Sequence, residues 1–398
     1  MKSYFRDRTN IIIFVLLVLA VIYAILVRTI NLGVLEYWGD DGQTVLGTLG
    51  VVEHGYPRLP SGNVMYHAFF SFYLRAIPVM LLGLNEIALR LPSVIFGVLV
   101  IPLVFLFVRD LTNKYTGLAA SIIISLNIWQ IEYSREIRYY QEFQFFYLLS
   151  VYLFYLGFFK DSRKCRIASV IFILLSILIH NLGITLLFLF IALLIYKRFK
   201  GFFKRETVIF FFIVLIIVAG AMLHRMFFWK AGLSFYDANV NTEIKNPVMR
   251  LISKFFAPYV PFYSRIFSVL FPTMFYIVFY GWSFVLLHVF IPRVRSSDED
   301  FIDIFGSKKS NYSIKLPFNL FFLYFLFFSN TVFNGIGYMN TQQRYIFHDN
   351  VFFIAIFFYI VFEIARLISE GIITLLKKGK NIKYGIPEKL QESGIKSL

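Results

Sequence analysis

The run IIIFVLLVLAVIYAILV, residues 11–27, passes directly into RTINLGVLEYWGDDGQT, residues 28–44. The apolar run makes about 26 Å of helix at about 1.5 Å per residue, close to the thickness of a bilayer's hydrocarbon core. Lys2, Arg6 and Arg8 precede it and no small-residue cleavage site follows, so it reads as an uncleaved first span with its N-terminus inside. Working outward, the rest of the chain is of the same kind. Of its 398 residues, 59% are hydrophobic, 20% aromatic and only 16% charged, with a mean hydropathy of +0.71. A soluble domain, at about 45–50% apolar and 25% charged, has no interior for such a surplus, so the fold class is an all-α polytopic membrane protein.

Further runs of spanning length fall near 93–108, 117–133, 143–159, 167–180, 183–196, 207–223, 266–291, 316–333 and 351–373. The stretch Tyr66–Leu84 is ambiguous: it is long enough to cross, yet carries Arg75 and Pro78 internally and His67 near its start. Charge arbitrates. If this stretch lies in the outer interface, the inside segments hold 26 of the 39 Lys and Arg, and the other arrangement exports most of them. The expectation is therefore about ten transmembrane helices, juxtamembrane helices in the first extracytoplasmic loop, and both termini cytoplasmic. The chain reads as one membrane domain, 1–398, with that loop at 31–91, a second large extracytoplasmic segment at 224–265 and a basic cytoplasmic tail at 374–398. The net charge of +16 thus reports inside loops and contact with anionic headgroups, and no nucleic-acid partner is expected.

Topology does not account for the basic residues left outside or within the membrane, and the polar motifs near them supply candidate roles. Asp40-Asp41 follows the first span beside Tyr37 and Trp38. Adjacent carboxylates repel, so one serves as a base while its neighbour orients a hydroxyl or cation. The competing reading makes Asp40 a helix N-cap and Asp41 a first-turn acid of a helix over Gly42–Glu53. Ser134-Arg135-Glu136-Ile137-Arg138-Tyr139-Tyr140 closes the third span. If helical, it puts Arg135, Arg138 and Tyr139 on one face, suited to a phosphate; the alternative pairs Arg135 with Glu132 and Arg138 with Glu142. Arg90 either faces the site, snorkels or pairs with Glu86 four residues earlier. Arg344, entering the membrane from outside, is costly unless it meets a phosphate or an acid such as Asp349 or Asp40.

The order of these motifs, Asp40-Asp41, then Glu53-His54-Gly55-Tyr56-Pro57, then Arg90-Leu91-Pro92-Ser93-Val94-Ile95-Phe96-Gly97, then Tyr133-Ser134-Arg135, resembles the polyprenyl-phosphate-sugar glycosyltransferases of the membrane-embedded GT-C superfamily. Protein O-mannosyltransferases and the aminoarabinose transferases acting on lipid A are among them. The likeness is best over about residues 31–145. The family's second acid is commonly Glu, and here it is Asp41. The resemblance implies a GT-C fold in the plasma (inner) membrane with an extracytoplasmic active site, an inverting transfer of sugar from a polyprenyl monophosphate to an extracytoplasmic acceptor, and Asp40 and Asp41 as catalytic acids. Arg90, Arg135, Arg138 and Arg344 become candidates for the donor phosphate, and Tyr139, His54 and Tyr66 for substrate contacts.

No motif requires a cofactor. Glu53-His54 invites a divalent metal, but no H-x-x-H or H-E-x-x-H spacing occurs and Cys165 is the only cysteine, so no metal site is assigned. No P-loop, dinucleotide fingerprint or repeat is present. The other readings are a transporter or flippase of lipid-linked sugars, which predicts repeats and midplane helix breaks, and a catalytically silent assembly partner.

Overall fold

The computed structural model describes residues 8–37, 40–196, 205–228, 301–303, 315–337 and 347–383. The protein is mostly helical. Among the described residues, the elements are α1 (Arg8–Thr29), α2 (Asp41–His54), α3 (Phe69–Leu82), α4 (Glu86–Leu111), α5 (Lys114–Leu126), α6 (Ile128–Ser134), α7 (Tyr140–Phe154), α8 (Arg163–Ile179), α9 (Phe188–Tyr196), α10 (Arg205–Phe228), α11 (Phe318–Gly337) and α12 (Asn350–Lys383). Strands β1 (Phe301–Asp303) and β2 (Lys315–Pro317) pair antiparallel, Phe301 opposite Pro317. This strand pair departs from the all-α expectation, and β2 overlaps the start of the run expected near 316–333, which is helical from Phe318.

Four helical stretches among the described residues, Arg8–Val34, Glu86–Leu111, Tyr140–Phe159 and Phe347–Arg366, are long and apolar enough to cross a bilayer. They make the chain an integral membrane protein. Shorter apolar helices accompany them, Lys114–Leu126 and Asn181–Tyr196 among others. The run at 266–291 lies outside the described residues. The run expected over 117–133 is not one helix. It breaks at Asn127, whose side chain accepts hydrogen bonds from the N–H groups of Trp129 (2.9 Å) and Gln130 (3.3 Å) and so caps a new helix. α3 has 14 residues, about 21 Å of rise, which is short of the hydrocarbon core.

α4 is the central post, packing against α1, α3, α5, α6 and α7. It starts at Glu86, well before the expected 93, because Asn85 accepts from the Ala88 N–H at 2.9 Å. Pro92 is therefore interior to the helix and does not open it. α7 packs on α4 and α8, and α12 on α5 and α11. The interior between α7, α9 and α11 is aromatic: Phe154 stacks on Phe158 at 4.3 Å between ring centroids, and Phe159 meets Phe318 at 4.9 Å. Gly97 lets α4 approach α6 closely, since a Cβ there would collide with the Ser134 hydroxyl. That hydroxyl accepts a hydrogen bond from Nε of Arg28 at 3.0 Å, so the buried arginine at the end of α1 ties the first helix to the end of α6.

Candidate active site

The chain leaves α1 through a short 3-10 turn at Leu32–Val34 and re-enters helix at Asp41. Arg90, 1% exposed, holds this connection. It donates to the carbonyls of Leu32 (2.9 Å), Leu35 (2.8 Å) and Glu36 (3.3 Å), pairs with Glu86 Oε2 at 3.1 Å, and lies over the ring of Tyr37 at 5.7 Å. The structure thus commits the Arg90 guanidinium to the backbone leading to the acid pair. The i,i+4 partner weighed from the sequence is the one it takes.

Asp40 occupies the N-cap position of α2, but its side chain makes no capping hydrogen bond. Its carboxylate, 46% exposed, meets Nη2 of Arg138 at 3.4 Å, and its carbonyl accepts from Nη1 of the same guanidinium at 2.8 Å. Asp41 is the buried member, 1% exposed. One carboxylate therefore faces outward beside a cation while its neighbour points into the protein, as unlike environments for adjacent acids require.

Residues 135–139 are not helical. The expected helical face carrying Arg135, Arg138 and Tyr139 is absent, because α6 ends at Ser134 and α7 begins at Tyr140. The irregular turn separates their roles. Arg135 donates to the Ile30 carbonyl at 2.6 Å and closes the end of α1. Arg138 lies over the rings of Tyr139 (5.0 Å) and Tyr140 (5.7 Å) and donates to the Tyr139 hydroxyl at 3.5 Å. Burial works against its charge, but Tyr139, Tyr140 and Asp40 outweigh that and hold the guanidinium's proton more firmly than in free arginine. Glu142, weighed as its partner, pairs with Arg75 instead, at 2.8 Å with both side chains fully buried.

Tyr139 extends the cluster. Its hydroxyl is 2.6 Å from Nε2 of His67, and His180 packs against both rings, 5.3 Å from His67 and 5.5 Å from Tyr139. Ala68, next to His67, has φ 60°, a left-handed conformation that costs a non-glycine residue about 1–3 kcal/mol. The turn into α3 is bent at the point where it presents the imidazole. The sequence flags His67 only as a polar residue near the start of the ambiguous stretch Tyr66–Leu84, and the bond to Tyr139 spans 72 residues, a distance no local pattern reports.

Two candidates lie elsewhere. His54 and Glu53 are at the far end of α2, which spans 14 residues and so places them about 20 Å from Asp40; their side chains are 38% and 62% exposed and 3.8 Å apart. Tyr66, 44% exposed, stands one residue from His67. Arg344 is outside the described residues. Among the described residues no group of three His, Cys, Asp or Glu side chains is arranged to hold a metal.

Asp40, Arg138, Tyr139 and His67 converge on one end of a helical membrane bundle whose fold is shared with the solved structures of ArnT and of an archaeal oligosaccharyltransferase. The family described as Dolichyl-phosphate-mannose-protein mannosyltransferase matches residues 66–224, which takes in His67, Arg138 and Tyr139 and begins after the acid pair. The ArnT structure from Cupriavidus metallidurans in the apo state superposes with a TM-score of 0.56 at 14% identity, over 88% of this chain and 59% of that one. ArnT bound to undecaprenyl phosphate gives 0.55 at 15%, over 88% and 60%. The Archaeoglobus fulgidus oligosaccharyltransferase in complex with Zn and sulfate gives 0.52 at 13%, over 89% and 51%. The chain thus spans about three fifths of the length of ArnT. No curated protein matches it by sequence.

Proposed function

We propose that this chain is an inverting glycosyltransferase that takes a sugar from a polyprenyl monophosphate and attaches it to an acceptor outside the cytoplasm. The observation carrying this reading is Asp40, a carboxylate in an N-cap position that declines to cap its helix and faces outward against Arg138. An acid recruited only to start α2 satisfies the helix's free N–H groups; the Asp40 side chain meets Arg138 instead. The family match and the ArnT fold, one example with undecaprenyl phosphate bound, support a lipid-phosphate donor.

In this mechanism Asp40 accepts the proton of the acceptor hydroxyl as its oxygen attacks the anomeric carbon from the face opposite the phosphate. Such general-base help is worth about 10²- to 10⁴-fold. The bond between sugar and phosphate oxygen breaks, and the polyprenyl phosphate leaves with the electron pair. Arg138, which holds Asp40 through its Nη groups, adds positive charge to the site in which the phosphate's charge develops, and Tyr139 and His67 supply polar groups beside it. Asp41 orients the helix end from its buried position. Arg135 and Arg90 keep the loop in place, Arg344 is a further cation for the phosphate, and Tyr66 lies on the substrate side. The reaction requires no cofactor in this reading, although a divalent cation beside the carboxylates is compatible with it. The site opens to the extracytoplasmic face, with about ten spans and both termini inside.

Purified protein given radiolabelled polyprenyl-phosphate sugars and a membrane extract is expected to transfer label to the extract. No transfer with any donor would count against an enzyme and for a carrier of the same lipid.

A further inference from the structure

Arg75 and Glu142 form an ion pair with no exposure to solvent, and nothing in the mechanism above uses it. Arg75 lies on α3 and Glu142 on α7. A buried pair is poor evidence for stability, because desolvation cancels much of the attraction; its retention asks for another reason. The hydrogen bonds supply one. Nη2 of Arg75 also donates to the Ser93 hydroxyl at 2.9 Å and to the backbone carbonyl of Arg138 at 2.6 Å, while Nη1 donates to the Ser71 hydroxyl. The Ser93 hydroxyl in turn donates to the same Arg138 carbonyl at 2.9 Å. Two donors from two helices therefore converge on the backbone of one residue in an otherwise irregular turn. The side chain of that residue reaches the carbonyl and the carboxylate of Asp40.

We propose that Arg75 and Glu142 are positioning residues: their ion pair, with Ser93, clamps the Arg138 backbone so that its guanidinium faces Asp40. Glu142 holds the Arg75 fork in orientation, and Arg75 and Ser93 hold the carbonyl. Five atoms of backbone and side chain separate the clamp from the guanidinium. A turn without helical hydrogen bonds has no other regular means of fixing that distance, whereas α4 and α7 are rigid on either side. Lysine at 75 would keep the charge but lose the planar group whose Nη1, bound to Ser71, fixes the direction in which Nη2 meets Glu142, Ser93 and the carbonyl. A misplacement of about 1 Å at reacting groups costs about 10²-fold in rate, which makes so indirect a clamp consequential.

The positional claim rests on coordinates alone, and its catalytic consequence rests on the glycosyltransferase reading, so the test has two arms on full-length protein in lipid. The first measures phenylglyoxal modification of Arg138 by peptide mass spectrometry, with exposed Arg58 as internal reference. In a double substitution, Arg75→Met with Glu142→Met, which removes both charges together, Arg138 is expected to react about fivefold faster or more while Arg58 is unchanged. Ser93→Ala, which leaves the ion pair intact, is expected to give a smaller rise in the same direction and remains informative where the double variant fails to fold. The second arm measures sugar transfer: kcat is expected to fall about 10²-fold with the donor KM within about twofold of wild type, and Glu142→Asp to recover part of it. An unchanged Arg138 rate in folded variants overturns the proposal, as does a loss of transfer that appears wholly in KM. A wild-type protein that modifies as expected but transfers no sugar removes the glycosyltransferase reading and leaves the clamp standing.

Discussion

At the residue scale the chemistry turns on how Arg138 holds Asp40. One guanidinium reaches the carbonyl and the carboxylate of the same residue with its two Nη groups, and Nη2 also donates to the Tyr139 hydroxyl. Arg138→Lys keeps a charge but offers a single compact donor. A hydrogen bond to a charged group contributes about 1.5–3 kcal/mol, so transfer by that variant is expected to fall about 10- to 100-fold, read as kcat/KM with a lipid-linked donor. Arg90 behaves differently. Arg90→Ala strips donors from the carbonyls of Leu32, Leu35 and Glu36, and each acceptor left buried costs about 1–3 kcal/mol. Its first effect is expected on thermal unfolding in detergent, with loss of activity following. The sequence made Asp40-Asp41 and Arg138 visible because charged residues at the end of an apolar run stand out. It did not reveal the roles, because the Asp40–Arg138 bond crosses 98 residues and the Arg75–Ser93 and Arg75–Arg138 bonds cross 18 and 63. Local spacing suggested Glu142 for Arg138, and that partner would have been correct only if the turn at 135–139 had been helical.

At the element scale, two short features decide how the site is framed. α2 passes the strand-like pair formed by Arg58 and Val64 at Gly50, where an added Cβ would strike the Arg58 backbone carbonyl and lie 2.6 Å from its nitrogen. Backbone cannot swing aside as a side chain does, so Gly50→Ala is expected to destabilise the protein by about 1–3 kcal/mol, the usual cost of overpacking, measurable as a lowered Tm. Asn127 is the second feature. Asn127→Ala removes the cap that separates α5 from α6, and is expected to cost about 1 kcal/mol, again read from Tm. The apolar run over 117–133 gave no hint of that break, since the residues on both sides are apolar and a membrane helix can carry a single asparagine without ending there. The length of the apolar runs located the long helices but placed the start of α4 too late, because Asn85 caps a turn that is only moderately apolar.

At the scale of the whole molecule, the apolar surplus and the four long helices fix a membrane protein, and the distribution of Lys and Arg proposes which way it faces. In a variant lacking Cys165, a cysteine at exposed Leu84, just before α4, is expected to react with an impermeant maleimide added to intact cells, and one at exposed Tyr115, beyond its other end, only after permeabilisation. The reverse pattern would turn the bundle over and put Asp40 inside. The bundle's fold is shared with ArnT at about one identical residue in seven, so the architecture tolerates wide change in sequence. The central claim is that this end transfers sugar through Asp40, and the most direct measurement compares wild type with Asp40→Asn, equally folded and equally loaded with polyprenyl-phosphate sugar. Transfer is expected to fall about 10²- to 10⁴-fold in the variant, as loss of a general base does. Equal transfer by the two proteins would contradict it.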